Sequence, residues 1–296
     1  MAAVAALAAV GGCGSAGAPV GTAGDDPTGT SGNDVVVVDP DEELVAHGLL
    51  MQSADDRPVE ICIGAVAESL PPQCGGPVLV GDFSWDEVDP RRSGGVTWTD
   101  DPWWAVGTYD PGTGEQGSLT LTRPVSAEPP EGYVPPPAED VSFPQLCDDP
   151  YVGGDPSASG NLAAQEQLGA AIENLDGYVT SWVSDGSSLY NVVVTTDTDA
   201  EAAFSELREV WKGGLCVEQR DLPTQDRLRA AQEALSRTGL ELGLLSVGSG
   251  GASGLLEVGV VLTDRGTVEA VLETVSEWIT PEQVVIRGAL QPLVQN

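Results

Sequence analysis

A long segment of this sequence occurs twice. Shifted by 67 residues, the AAQEQL that begins at Ala163 falls on the AAQEAL that begins at Ala230. Val193 and Val194 meet Val260 and Val261, and Thr196 and Asp197 meet Thr263 and Asp264. Glu206 meets Glu273, Trp211 meets Trp278, and Arg220 meets Arg287. Two copies of one pattern must fold by the same rules, so the repeat constrains half the chain at once.

Each copy reads α-β-β-α-β. In copy one, Leu168, Ile172 and Leu175 recur at helical spacing. YVTSWV and LYNVVVT flank Asp185-Gly186, a hairpin signal. Thr198 with Glu201 predicts a capping box for the second helix, whose apolar stripe is Ala203, Phe204, Leu207 and Trp211. Cys216 and Val217 open the last strand. In copy two, Leu228, Ala231 and Leu235 serve the first helix. Residues 244–247 and 255–262 form the hairpin around GSGGASG, read as a mobile loop. Val268, Leu272, Val275 and Ile279 give the second stripe, and residues 284–286 the last strand. The expectation is two α+β sandwiches, each with helices on one face of a small antiparallel sheet.

The chain before the repeat has a different character. Short strand candidates lie at residues 35–38, 45–51, 59–63, 78–83, 95–99, 103–109 and 118–121, separated by turn-rich stretches such as SADDRP and DPGTG. This predicts a small all-β barrel, OB-like, or a compact sandwich; closing a barrel hides its edges. PVSAEPPEGYVPPPAEDVSFP, Pro-rich and acidic, should be extended and stiff. The overall class is α+β. The domains are a β domain at 35–123, a linker at 124–145, and repeats at 146–223 and 224–296.

The N-terminus carries an address. Residues 2–10 are apolar, too short to cross a membrane but suited to a signal peptide at residues 1–12. No Lys or Arg precedes them and the first basic residue is Arg57, so the leader is atypical or the start is placed too late. Val10-Gly11-Gly12-Cys13 resembles the bacterial lipobox. The resemblance implies diacylglycerol transfer to the Cys13 thiol and cleavage before it, placing the protein outside the cytoplasm on a lipid anchor in the membrane's outer leaflet. Residues 13–34 are small and polar without periodicity, a disordered tether spanning roughly 25 Å on average.

Setting Cys13 aside leaves Cys62, Cys74, Cys147 and Cys216, an even number for an exported protein. Three pairings are possible. Cys62 with Cys74 and Cys147 with Cys216 is favoured, because each bond then stays within one region.

Two further resemblances bear on the repeat. Its order is similar to the BON domain of exported bacterial proteins. YVTSWVSDGSSLYNVVVTTD and GLLEVGVVLTD resemble the hairpin of the pro-region module of alpha-lytic-type proteases, which implies a folding-helper or inhibitor role. The lipobox, ESLPPQCGGP and WKGGLCV together resemble uncharacterised actinobacterial lipoproteins.

The chemistry points away from catalysis. A net charge of −34 repels phosphate backbones, which excludes nucleic acid as a partner. His47 is the single histidine, so triad chemistry has no foothold. No C-x-x-C occurs and the histidine is remote, which excludes a zinc site. DDPTGTSGND and CDDPYVGGD supply oxygen ligands but not the EF-hand spacing. GSGGASG has no Lys and no following helix, so it is not a phosphate cradle. No cofactor is implied. Asp100 and Asp101 beside Trp103 and Trp104 resemble a sugar site, although neighbours in a strand face opposite ways. The expected function is a non-catalytic binding or assembly role at the cell surface, with an envelope protein or glycan as partner.

Overall fold

The computed structural model describes residues 35–67, 69–136, 142–158, 160–239 and 241–293. Seven strands come first: β1 (Leu44–Gln52), β2 (Glu60–Cys62), β3 (Val78–Val80), β4 (Pro90–Ser93), β5 (Val96–Thr99), β6 (Trp103–Asp110) and β7 (Ser118–Leu121). Five of them close a ring, β1-β2-β3-β7-β6 and back to β1. Only β3 and β7 run parallel. The nine-residue β1 makes closure possible. Its first half pairs with β6, and its second half pairs with β2 on the other side. Where β1 meets β2, a Cβ on Gly48 would collide with the Cys62 carbonyl, so only glycine fits. Leu44, Ala46 and Leu50 alternate inward and meet Ile61, Leu79, Ala105 and Leu119.

The hairpin of β4 and β5 hangs on the end of β1 through Met51 and Trp98. The sequence pattern did not contain β4. Its residues are Pro-Arg-Arg-Ser with no apolar face, and it pairs because Gly94 and Gly95 both take positive φ in the turn. Residues 35–38, expected as a strand, are extended chain outside any sheet. Thr263 holds them: its carbonyl accepts from the Val38 N–H at 3.0 Å and its hydroxyl donates to the Val36 carbonyl at 2.7 Å.

Copy one contains α1 (Leu162–Glu173), β8 (Tyr178–Val183), β9 (Tyr190–Thr195), α2 (Ala200–Val210) and β10 (Leu215–Arg220). Copy two contains α3 (Gln225–Thr238), β11 (Leu244–Gly250), β12 (Leu255–Val260), α4 (Arg265–Val275) and β13 (Val284–Gly288), and a short β14 (Gln291–Pro292) follows it. The sheets are mixed, which corrects the antiparallel expectation. Each hairpin is antiparallel, but β10 is parallel to β9 and β13 to β12. A helix separates the last two strands, and such a crossover returns the chain in the same direction.

The two hairpins match pair for pair. Tyr178 faces Val194 as Leu244 faces Val260, and both ladders shift register at the next residue. This correspondence is an offset of 66. The last strands, where Val217 faces Val192 and Ile286 faces Val258, correspond at 69. The caps of α2 and α4, Asp199 and Asp264, correspond at 65, so the offset of 67 read from the sequence matches neither the hairpins nor the caps, and Val194 rather than Val193 is the counterpart of Val260.

The starts of α2 and α4 are set by carboxylates. Asp199, not Thr198, caps α2 and accepts from the Glu201 and Ala202 N–H groups. Asp264 does the same for α4 with Gly266 and Thr267. The Thr198 hydroxyl instead bonds that of Thr195. Leu168, Ile172, Ala203, Leu207 and Trp211 are buried between helices and sheet in copy one. In copy two Val271, Val275 and Ile279 are buried, while Val268 and Leu272 are only partly so.

Beyond the helix-side cores the two copies pack differently. On copy one, Val179, Trp182 and Val193 are covered by Leu146, Leu222 and Ala252. Ala252 lies in the glycine-rich segment, which forms the end of β11 and a 3-10 turn at Gly251–Ser253. That turn sits on copy one, with its Gly251 carbonyl accepting from the Thr180 hydroxyl at 2.8 Å. The segment read as a mobile loop therefore has a packing role. Copy two instead sends Val261, Leu262 and Leu290 into the barrel core, and β14 pairs with β1. The Pro-rich segment is docked at both described ends. Ser126 exchanges two backbone bonds with Trp104, and Pro144 accepts from the Trp182 indole.

Candidate functional site

A broad concave feature lies where the two copies join. Residues 221–224 connect β10 to α3 in four residues, so the start of copy two stands against the loops at one end of copy one's sheet. The result is a cleft of about 840 Å³. Its walls come from residues 174–177 after α1, residues 195–199 between β9 and α2, Glu206 on α2, the connection 221–224, and Arg227 and Gln283 of copy two. A second hollow of about 730 Å³ shares residues 174–177 and Thr224 and runs on past Tyr178, Thr180 and Arg229.

Local structure uses up part of this wall. Asp199 caps α2, and Thr224 caps α3 by accepting from the Arg227 N–H. Asp197 is held below the usual carboxylate range by the Thr195 hydroxyl, its own backbone N–H and the Arg227 charge. Asp176, Glu206, Asp221 and Arg227 are exposed. The cleft is therefore polar, acidic on balance, and carries one cation. Its size lies within the range of small-molecule sites.

The residues singled out from the sequence are scattered. Cys13 lies outside the described residues, as does DDPTGTSGND. Cys62 is bonded to Cys74, and Cys147 to Cys216. Both bonds point to an oxidising compartment outside the cytoplasm. Among the described residues no helix is long and apolar enough to cross a membrane.

His47 lies on the outer face of β1 and stacks on Trp104, ring centroids 3.9 Å apart. Partial burial holds its pKa below the ordinary value. Tyr133 packs on the same indole. Trp103 faces inward and packs on the barrel core, so the two adjacent tryptophans do not form one platform. Asp100 is paired with Arg91 at 2.7 Å.

The acidic CDDPYVGGD loop builds turns. Asp149 accepts from the Tyr151 N–H and Asp155 from the Ser157 N–H. The loop also faces a cation. Arg208, 6% exposed, donates to the Pro150, Trp211 and Gly213 carbonyls. A positive charge at that place opposes calcium. Among the described residues no group of three acidic, His or Cys side chains could hold a metal ion.

The cleft residues went unnoticed in the sequence because no motif links them. The one signal was the short connection between two αββαβ units, which forces their ends together. Compared with known proteins, the chain matches no protein-family model and no curated sequence.

Proposed function

We propose that this is a lipid-anchored envelope protein with a non-catalytic binding role, held by Cys13 and presenting the inter-copy cleft to its ligand. The observation that carries the binding part is the cleft itself. Backbone caps and a four-residue connection fix its walls, and its exposed side chains are left over from folding. The anchoring part rests on the lipobox-like Val10-Gly11-Gly12-Cys13 and on the two disulfides. Expressed in an actinobacterial host, the chain should partition with membranes and carry an acyl mass that Cys13→Ala removes. A Cys13→Ala protein that stays membrane-bound would sink the anchoring part.

A second reading is a folding helper or inhibitor of a secreted serine protease. The duplicated α-β-β-α-β order supports it. Adding the protein to refolding or active proteases of that class tests this reading, and unchanged refolding yield and activity would remove it.

A further inference from the structure

We infer that residues 143–147 are a strap across the outer face of copy one's sheet, and that thiol–disulfide exchange at Cys147–Cys216 releases it. This goes beyond the readings above and rests on neither the cleft nor the Cys13 anchor. The strap is attached at each of the three strands. On β8 the Trp182 indole and, just past the strand's end, the Ser184 hydroxyl donate to the Pro144 carbonyl at 2.8 and 3.2 Å. On β9 the Asn191 side-chain carbonyl accepts from the Leu146 N–H at 2.9 Å. On β10 Cys216 holds Cys147. Leu146 packs on Val179, Trp182 and Val193, and Phe143 lies beside Gly251 of copy two.

The non-covalent attachments are polar side chains that water can satisfy. Asn191 is fully buried on a face otherwise made of Val179, Trp182 and Val193. A face that stayed closed would gain more from an apolar side chain there, because a buried amide needs a partner for each polar atom. The Asn191 Nδ2 keeps partners without the strap, donating to the Ser184 hydroxyl and the Leu189 carbonyl. Its Oδ1 and the Trp182 indole N–H can exchange the strap for water. The covalent bond then decides between closed and open. Release stops at Pro150, whose carbonyl is held by the Leu215 N–H and by Arg208. The other disulfide is built differently. Cys62 lies in β2, and the chain on both sides of Cys74 is held by backbone bonds, Ala67 N–H to Gln73 at 2.8 Å and Ile61 N–H to Pro77 at 3.1 Å. Copy two has no cysteine, and Gly248 and Glu257 stand where copy one has Trp182 and Asn191.

The step needs a dithiol reductant. Its thiolate attacks the sulfur of Cys147, which is half-buried, whereas Cys216 is 1% exposed. A bond forms between the reductant and Cys147 as the Cys147–Cys216 bond breaks, and Cys216 leaves as a thiolate that takes up a proton. The reductant's second thiolate then attacks its own sulfur in the mixed disulfide. Cys147 leaves as a thiolate and is protonated, and the reductant ends as a disulfide. Two electrons and two protons pass from the dithiol to the protein. Exchange with an oxidised dithiol reverses the step and closes the strap.

The test is reduction of the full chain with increasing dithiothreitol, followed by mass for each disulfide and by NMR hydrogen exchange for each segment. As the Cys147–Cys216 bond is lost, exchange of the Leu146 amide should rise by about tenfold or more while α1 and α2 keep their protection. The Trp182 indole N–H should exchange faster, and that of Trp211, bonded to the Gly214 carbonyl, should not. Reoxidation should restore the first state. Cys147→Ser with Cys216→Ser should be open before dithiothreitol is added, and the reductant should then change nothing at Leu146. The wild-type titration is read on its own, so the test does not depend on that variant folding. Leu146 exchange that is unchanged after the bond is lost would overturn the proposal. So would loss of α1 and α2 protection together with that of Leu146, because copy one would then be unfolding rather than releasing a strap.

Discussion

The two copies share a register, a bulge position and a pair of Asp caps, yet they are stabilised differently. Copy one closes its helix-side core within itself and is pinned by a disulfide. Cys147 is tied to Cys216, Pro150 accepts the Leu215 N–H, and the buried Arg208 gathers three carbonyls. Copy two has no disulfide. It places Val261, Leu262 and Leu290 in the barrel core, and its trailing strand pairs with β1. The same unit can thus be finished by a covalent staple or by a neighbour. What differs is where each unit finds its remaining packing partners, which the αββαβ pattern leaves unspecified.

The largest effect should come from the staple. Replacing Cys147 and Cys216 by Ser should destabilise copy one by about 4 kcal/mol in the chain-entropy model, because the bond closes a separation of 69 residues. Denaturant unfolding followed at Trp182 and Trp211 would measure it. Removing the Cys62–Cys74 bond, with a separation of 12, should cost about 3 kcal/mol and act on the barrel.

Leu290→Ala tests the neighbour. The side chain is fully buried among barrel residues although it belongs to copy two's trailing segment. A loss of about 2–5 kcal/mol is expected. Barrel and copy-two signals should shift together while copy one shifts less. A loss confined to copy two would show that the barrel does not depend on this residue.

The caps are smaller and should be alike in the two copies. Asp199→Ala and Asp264→Ala should each cost about 1 kcal/mol. Unequal losses would show that tertiary context outweighs the shared cap.

The smallest effect is pH dependence. The Ser187, Ser188 and Leu189 N–H groups and the Ser188 hydroxyl hold the Asp185 carboxylate well below its ordinary range, against a raising effect of burial. A depressed carboxylate stabilises the fold above its unfolded pKa, near 3.9, and that contribution is lost as the pH falls below it. Copy one should therefore weaken below about pH 4, and Asp185→Asn should flatten that slope. Copy two has no carboxylate turn in its hairpin, where Gly251–Ser253 stands instead.

Much of the fold was legible because its signals are local. Leu168 and Ile172, or Leu228, Ala231 and Leu235, mark their helix faces by spacing alone. The strand expected at 45–51 is β1, Leu44–Gln52. What was missed depends on partners distant in sequence. Residues 35–38 look like a strand, but Thr263 claims them. Arg91 and Arg92 do not look like one, but a glycine turn pairs them with β5. The glycine-rich segment looked mobile because glycine carries no packing signal, although Gly251 and Ala252 contact copy one. The cleft was invisible for the same reason. Asp176, Asp221 and Arg227 come together only when two loops and a helix start are placed in space.

Because Val261, Leu262 and Leu290 complete the barrel core and β14 pairs with β1, copy two and the barrel should unfold as one cooperative unit. Native-state hydrogen exchange of the disulfide-intact chain in rising denaturant measures this. Amides of β1 and β6 should converge on the same opening free energy as those of β12 and β13, and Leu290→Ala should lower both together. If the barrel amides and the copy-two amides open at independent free energies, with Leu290→Ala moving only one set, the claim is contradicted.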